Sequence, residues 1–575
     1  MRRMSFRRWA LVASAIFCLA ELKLGPTNVW LGPTNVWLGP TNVVLAQGET
    51  SPNVSAITDA RLRAHVRFLA DDLLEGRAPS TRGGNLAANY IAAQFKLLGL
   101  APGAGDGSYF QMVTMVESKT DAGKGLTISG GAGAPEVLTP IADTVLGTGA
   151  GDPDVSVDAD LVFLGYGINA PEQKWNDYQG VDVRGKVVMI MVNDPPATAS
   201  EPTLFGGKAL TYYGRWTYKY EEAARQGAAG VLLIHTTESA SYPWAVVQNA
   251  WSGTQYSLPV EPGQPTLRLK AWISDRAATR IAAKAGRDLD ELRRAAAVRG
   301  FTAVPLGLRV AATLHQTTAW KQSPNVIGVL PGTNTSEAVL YTAHYDHFGI
   351  RDPKPDDPPN ADRIFNGAVD NASGVAGILT IAQAFAQAGT KPGRSVYFIA
   401  TTLEESGLLG SEYLARHPMM PVKQLAADIN VDSLNVLGAT SDLAVLGTER
   451  STLGPMLAAI VKAQGRTLTG DAEPGAGHFF RSDHFPLAKA GVPAVSISGP
   501  EHYIGKDPAF AKKQRDDYTN NRYHQPSDEY SDSWDLAGAI SDLKALATLG
   551  WQVAAAQRMP RYNPNEQFAA PRLSK

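Results

Sequence analysis

Apolar residues recur along this chain in two textures. Mostly apolar runs of strand length stand at 161–167, 186–192, 231–234, 325–332, 338–343, 395–400 and 494–498. Such runs predict strands buried on both faces. Helical periods alternate with them. Leu62, Val66, Leu69 and Leu73 mark one, after a cap-like Ile57-Thr58-Asp59, and a second spans 86–98 and stops at Gly99. Others span 219–226, ending at Gly227, then 375–388, and 534–555 as a final amphipathic helix. Strands alternating with helices predict an α/β fold with a mostly parallel central sheet. Residues 119–155, rich in Gly, Ala and Thr, give few signals.

The chemistry clusters where these predicted strands end, which is where open α/β sheets place their ligand sites. Glu404 and Glu405 follow the run 395–400, and His344 and Asp346 follow 338–343. Asp370 comes 26 residues after His344, in a loop that opens the apolar helix 375–388. Asp432 ends a short strand, Ile429-Asn430-Val431, and His524 lies in the loop-like Tyr523-His524-Gln525-Pro526-Ser527-Asp528. Each has an ordinary alternative: a solvated Glu-Glu pair, a helix N-cap at Asp370, a satisfied histidine at a strand end. Together they make a set of hard donors. Imidazole and carboxylate without thiolate suit zinc, with cobalt or manganese as alternatives. Two histidines and three carboxylates exceed one tetrahedral ion with an open position. They suit two ions about 3.5–4 Å apart sharing one carboxylate.

The ordered motifs His-x-Asp, Asp-Asn-x-Ser-Gly, Glu-Glu-x-Gly-Leu-x-Gly-Ser, Asp and Tyr-His-x-Pro-x-Asp resemble a known family. It is the co-catalytic zinc metallopeptidases, which include bacterial leucyl aminopeptidase, aminopeptidase Y and glutamate carboxypeptidase II. The likeness covers roughly residues 58–556. It implies a three-layer sandwich with His344, Asp370 and Asp432 on one zinc. Asp370 would bridge to a second zinc held by Glu405 and His524. Glu404 would be the general base for attack by a metal-bridging hydroxide, and Asp346 would orient His344. Tyr523 is a candidate oxyanion donor, with aromatic packing as its competing reading. The family pattern places the last ligand at His524 and leaves His484 to line the cleft. His347, His417, His478 and His502 have no comparable support.

Gly165-Tyr166-Gly167, the Gly180-x-Asp182-x-x-Gly185-Lys186 turn and Ala223-Ala224-Arg225-Gln226-Gly227-Ala228 resemble a protease-associated domain, a smaller β-rich α/β unit. The expected organisation is a leader and repeat at 1–46 and a first peptidase part at 47–155. An inserted protease-associated domain follows at 156–300, then the catalytic part at 301–556 and a tail at 557–575. The activity this implies is that of an exopeptidase on peptides. An aminopeptidase leads, because Arg481 is the only arginine in a recognisable cleft loop and a carboxypeptidase needs arginines facing a carboxylate. A carboxypeptidase or dipeptidase, a one-zinc glutaminyl cyclase and a non-catalytic receptor-like ectodomain are the competing readings. Filled positions at every ligand and at Glu404 argue against the last two.

Composition narrows the setting. The 575 residues are 44% hydrophobic and 19% charged with net charge −2, and no basic stretch points to nucleic acid. Arg2, Arg3, Arg7 and Arg8 precede the apolar run 9–20, the pattern of a secretory signal too short to span a bilayer stably. Leu-Gly-Pro-Thr-Asn-Val then recurs three times between Leu24 and Val44, and its Gly-Pro steps forbid a continuous helix. The expectation is an exported chain, periplasmic or secreted, without stable membrane association after leader cleavage. The single cysteine, Cys18, lies in the leader, so the mature chain would have neither disulfides nor thiol chemistry.

Overall fold

The computed structural model describes residues 51–569 apart from 122, 124, 150, 241, 252, 354–356 and 565. The predicted leader and repeat, 1–46, lie outside the described residues, as does the end of the expected tail. Among the described residues no helix is long and apolar enough to cross a membrane.

Four strands form the parallel centre of the sheet around the candidate site. Arg394–Thr401 pairs with Asn334–His344, which pairs with Leu425–Asn430, which pairs with Ala494–Ser498. On one flank Arg394–Thr401 meets Val304–Leu330 in antiparallel register. On the other, Ala494–Ser498 meets Asp442–Leu446, also antiparallel. The strand Asn334–His344 is buried throughout its second half because both faces are covered. Its side chains alternate between two layers. Val339, Tyr341 and Ala343 join the core with helix Gly374–Ala386, helix Ala537–Ala555 and helix Asp59–Leu69. Ala338 and Leu340 face the other way, onto Leu414 and Leu487 from helices Leu409–Arg416 and His484–Lys489. The result is the expected helix–sheet–helix sandwich.

Every apolar run read as a strand is one, within a few residues. The helical periods also hold, with Asp59–Leu69, Arg82–Leu97, Trp216–Arg225, Gly374–Ala386 and Ala537–Ala555 observed, except that the first stops short of Leu73, which is exposed in the separate turn Asp72–Arg77. The stretch 119–155 is not featureless. It carries the end of Phe110–Asp121, all of Leu126–Gly130, Glu136–Leu138 and Thr144–Gly147, and the start of Asp154–Phe163.

A second apolar cluster draws residues from Leu126 to Leu314 around the parallel strands Asp154–Phe163, Val187–Met191, Gly230–His235 and Leu269–Ser274. The 27-residue strand Val304–Leu330 ties this region to the sheet of the candidate site. Its first half pairs with Leu126–Gly130 and Asp154–Phe163, its middle with Phe110–Asp121, and its end with Arg394–Thr401.

Candidate metal centre

The four parallel strands deliver their carboxyl ends to one edge of the sheet. His344 is the last residue of its strand, Glu404 and Glu405 follow Thr401, and Asp432 follows Asn430. Asp370 enters from the loop before helix Gly374–Ala386. It is not that helix's N-cap, which is Ser373. The Asp370 loop bends sharply at Gly367, at φ +50°, where an added Cβ would lie 2.2 Å from the Asp370 carbonyl oxygen.

Asn371 clamps two ligand loops together. Its Nδ2 donates to the Val431 carbonyl at 3.0 Å, and its Oδ1 accepts from the amides of Gly374 at 2.8 Å and Ser433 at 3.0 Å. Asp528 holds the loop from the other side, accepting from the amides of Val369 at 3.1 Å and Asp370 at 3.0 Å. The buried Arg77 guanidinium donates to the carbonyls of Leu69, Tyr345, Asn366 and Gly367. A guanidinium from the N-terminal part of the chain thus fixes both the His344–His347 turn and the Asp370 loop. Burial pushes Arg77 down to about 10, against the pull of Asp528, Asp346, Asp370 and Glu405.

All five predicted ligands converge. His344 Nε2 lies 3.2 Å from Asp370 Oδ1 and 3.4 Å from Asp432 Oδ1. His524 Nε2 lies 3.3 Å from Asp370 Oδ2 and 3.2 Å from Glu405 Oε2. These spacings test whether the residues fit a metal. Ligand atoms about 2.0–2.2 Å from a tetrahedral zinc stand about 3.3–3.6 Å from one another. The observed separations fall at or beside that range, and the two longest exceed the usual N–H···O span of about 2.7–3.2 Å. A donor set of imidazole nitrogen and carboxylate oxygen suits zinc, and the residues fit it.

The supporting side chains differ in part from expectation. Asp346 lies beneath His344, but its carboxylate oxygen is 4.0 Å from Nδ1, whereas its own backbone carbonyl is at 3.2 Å. The carboxylate instead accepts from the Glu404 amide at 3.2 Å. Ser482 donates to Asp432 Oδ2 at 2.6 Å. Donor atoms of His344, Glu404 and Glu405 lie within 4.8 Å of one another. Burial, with the carboxylates of Glu405, Asp432 and Asp483 and against His344, holds the Glu404 carboxyl well above its ordinary range. Burial works the same way on Glu405, yet His524 and His347 bring it down to about 2. Tyr523 is 45% exposed and stacks on His524, ring centroids 3.7 Å apart.

Two histidines were misjudged from the sequence. His484 does not line a cleft: it is fully buried, 4.8 Å from the Phe479 ring, in the packing of Phe480 and Phe485. Apolar burial there leaves no open space to face. His347 is 1% exposed and lies inside the centre, its Nδ1 2.5 Å from Glu405 Oε1. No spacing rule marked it, because it belongs to the turn after the strand rather than to a recurring motif.

Residues 325–548, which carry all five of these donors, match the family described as Peptidase family M28. This segment is an M28 peptidase domain. The chain is also similar to solved structures at low identity. An aminopeptidase from Aneurinibacillus sp. strain AM-1 is 18% identical, over 89% of this chain and 98% of that one, with a TM-score of 0.47. A Peptidase M28 precursor from Shewanella amazonensis SB2B is 18% identical, over 89% and 98%, with a TM-score of 0.42. BSAP, a zinc aminopeptidase from Bacillus subtilis, is 19% identical, over 89% and 97%, with a TM-score of 0.41. As a metallopeptidase, the M28 domain hydrolyses peptide bonds.

Proposed function

We propose that this chain is an exported two-zinc aminopeptidase. The observation that carries the reading is the Asp370 carboxylate, whose two oxygens face two different histidines. His344, Asp370 and Asp432 would hold one ion, and Asp370, Glu405 and His524 would hold the other. Bound zinc supplies Lewis-acid polarisation of the scissile carbonyl and lowers the pKa of water to about 7.

The side chains do the rest. Glu404 takes the proton of the attacking water and returns it to the leaving amine. Tyr523 donates its O–H to the oxyanion. Although the residue is 45% exposed, desolvation on its site-facing side and the carboxylates of Asp370, Glu405 and Glu404 favour the protonated phenol. Export rests on the basic and apolar leader pattern before residue 21, and fractionation of expressing cells with N-terminal sequencing of the mature chain tests it.

One observation favours a second reading, a carboxypeptidase or dipeptidase. Arg215, from the second apolar region, lines the same cavity as Arg481. Both lie within electrostatic reach of Tyr523. Paired guanidiniums are the donors a carboxypeptidase uses, but this cavity, about 10 Å³, has room for no more than a water, so the aminopeptidase reading stands first.

Digestion of a peptide mixture by zinc-loaded protein, read by mass spectrometry, separates the two. Half the peptides carry acetylated N-termini and half carry amidated C-termini, in all combinations. Stepwise loss from free N-termini alone supports the aminopeptidase. Loss from acetylated peptides that requires a free C-terminus supports the carboxypeptidase. Cleavage restricted to dipeptides with both ends free supports the dipeptidase.

A further inference from the structure

We propose that His347 is a positioning residue that turns Glu405 into a one-oxygen ligand of the second zinc. The inference rests on the two-ion reading above and extends it to a residue outside the family motifs. His347 Nδ1 lies 2.5 Å from Glu405 Oε1, while Glu405 Oε2 lies 3.2 Å from His524 Nε2. An ionised carboxylate has no proton to give, so Nδ1–H is the donor. With Oε1 engaged, Oε2 is the oxygen that faces His524 Nε2.

The surroundings are built for that contact. The ring packs against Phe348, with centroids 4.9 Å apart, and lies 5.9 Å from the His524 ring. An added Cβ on Gly367 would sit 2.7 Å from His347 Cδ2, so the Asp370 loop is shaped around this imidazole. His347 Nε2 is buried without a hydrogen-bond partner. Burying that nitrogen is unfavourable, and an apolar ring of the same shape would avoid the cost. What the imidazole adds is therefore the hydrogen bond to Glu405. Partners that orient a ligating side chain commonly contribute 10- to 100-fold in metal affinity.

Zinc affinity of the full chain, measured by competition with a chromophoric chelator, tests this together with metal content by mass spectrometry. His347→Ala should retain one ion at wild-type affinity and bind the other about 10- to 100-fold more weakly. His347→Asn places an amide N–H near the position of Nδ1 and should restore the second ion to within a few-fold. His347→Gln places its amide near Nε2 and should behave like Ala. Unchanged binding of both ions by His347→Ala overturns the inference. So does equal loss in Asn and Ala, which would mark a packing role. If the zinc-free Ala protein fails to unfold cooperatively, the Asn and Gln pair decides. Wild-type protein that takes up fewer than two ions overturns the two-zinc reading itself, a separate result.

Discussion

The Asp370 carboxylate stands between two imidazoles, its Oδ1 3.2 Å from His344 Nε2 and its Oδ2 3.3 Å from His524 Nε2. In the two-zinc reading this carboxylate is shared between the ions. Asp370→Asn keeps the shape but removes the charge and one acceptor. It should weaken both ions, by more than the roughly 10- to 100-fold that loss of an outer partner costs. Zinc titration of the variant checks this, and loss confined to one ion would refute the bridge.

Glu404→Gln should retain zinc and lose turnover by about 10²- to 10⁴-fold, the usual worth of a general base. Metal content and kcat measured on one preparation test the assignment. Activity within tenfold of wild type would place the base elsewhere.

His524→Ala should lose one of two zinc ions, whereas His484→Ala should keep both. His524 Nε2 faces two carboxylates, and His484 is enclosed by phenylalanines. The reverse pattern of zinc loss would exchange their roles.

Arg77→Met should destabilise the fold by about 3 kcal/mol or more. It strands buried carbonyls that the guanidinium now satisfies, at about 1–3 kcal/mol each. Chemical denaturation of the zinc-free proteins measures the difference. A change under about 1 kcal/mol would mean that the loops hold themselves.

His484 should make the fold acid-sensitive. Burial lowers it from the ordinary 6.5 to about 3. A depressed histidine contributes stability that is fully present above pH about 6.5 and is lost as pH falls toward 3. His484→Phe, which suits the aromatic surroundings, should flatten that decline. Thermal unfolding of zinc-free protein across this window checks it, since metal loss then cannot contribute. An unchanged slope would assign the acid sensitivity to other groups.

The legibility of the site was uneven for physical reasons. His344, Asp370, Glu405, Asp432 and His524 each sit at the end of a strand or in a loop whose neighbours carry local signals. The strand runs were equally plain, because parallel strands buried on both faces must be continuously apolar. Asp346 was expected to orient His344, and it does lie there. Which of its oxygens faces Nδ1 depends on the backbone path of the turn, and the carbonyl is the nearer.

The sequence by itself determined the order of strands and helices, the chemical type of the donors and the fact that they follow strand ends. These are properties of local periodicity and residue type, which short segments express unaided. Tertiary structure alone decided that Arg77 reaches across 268 residues to the Tyr345 carbonyl. It also brought His347 onto Glu405, put His484 in an aromatic core and set Arg215 beside the same cavity as Arg481. Each of those depends on contacts between segments far apart in the chain, where chain folding sets the distance and no local pattern records it.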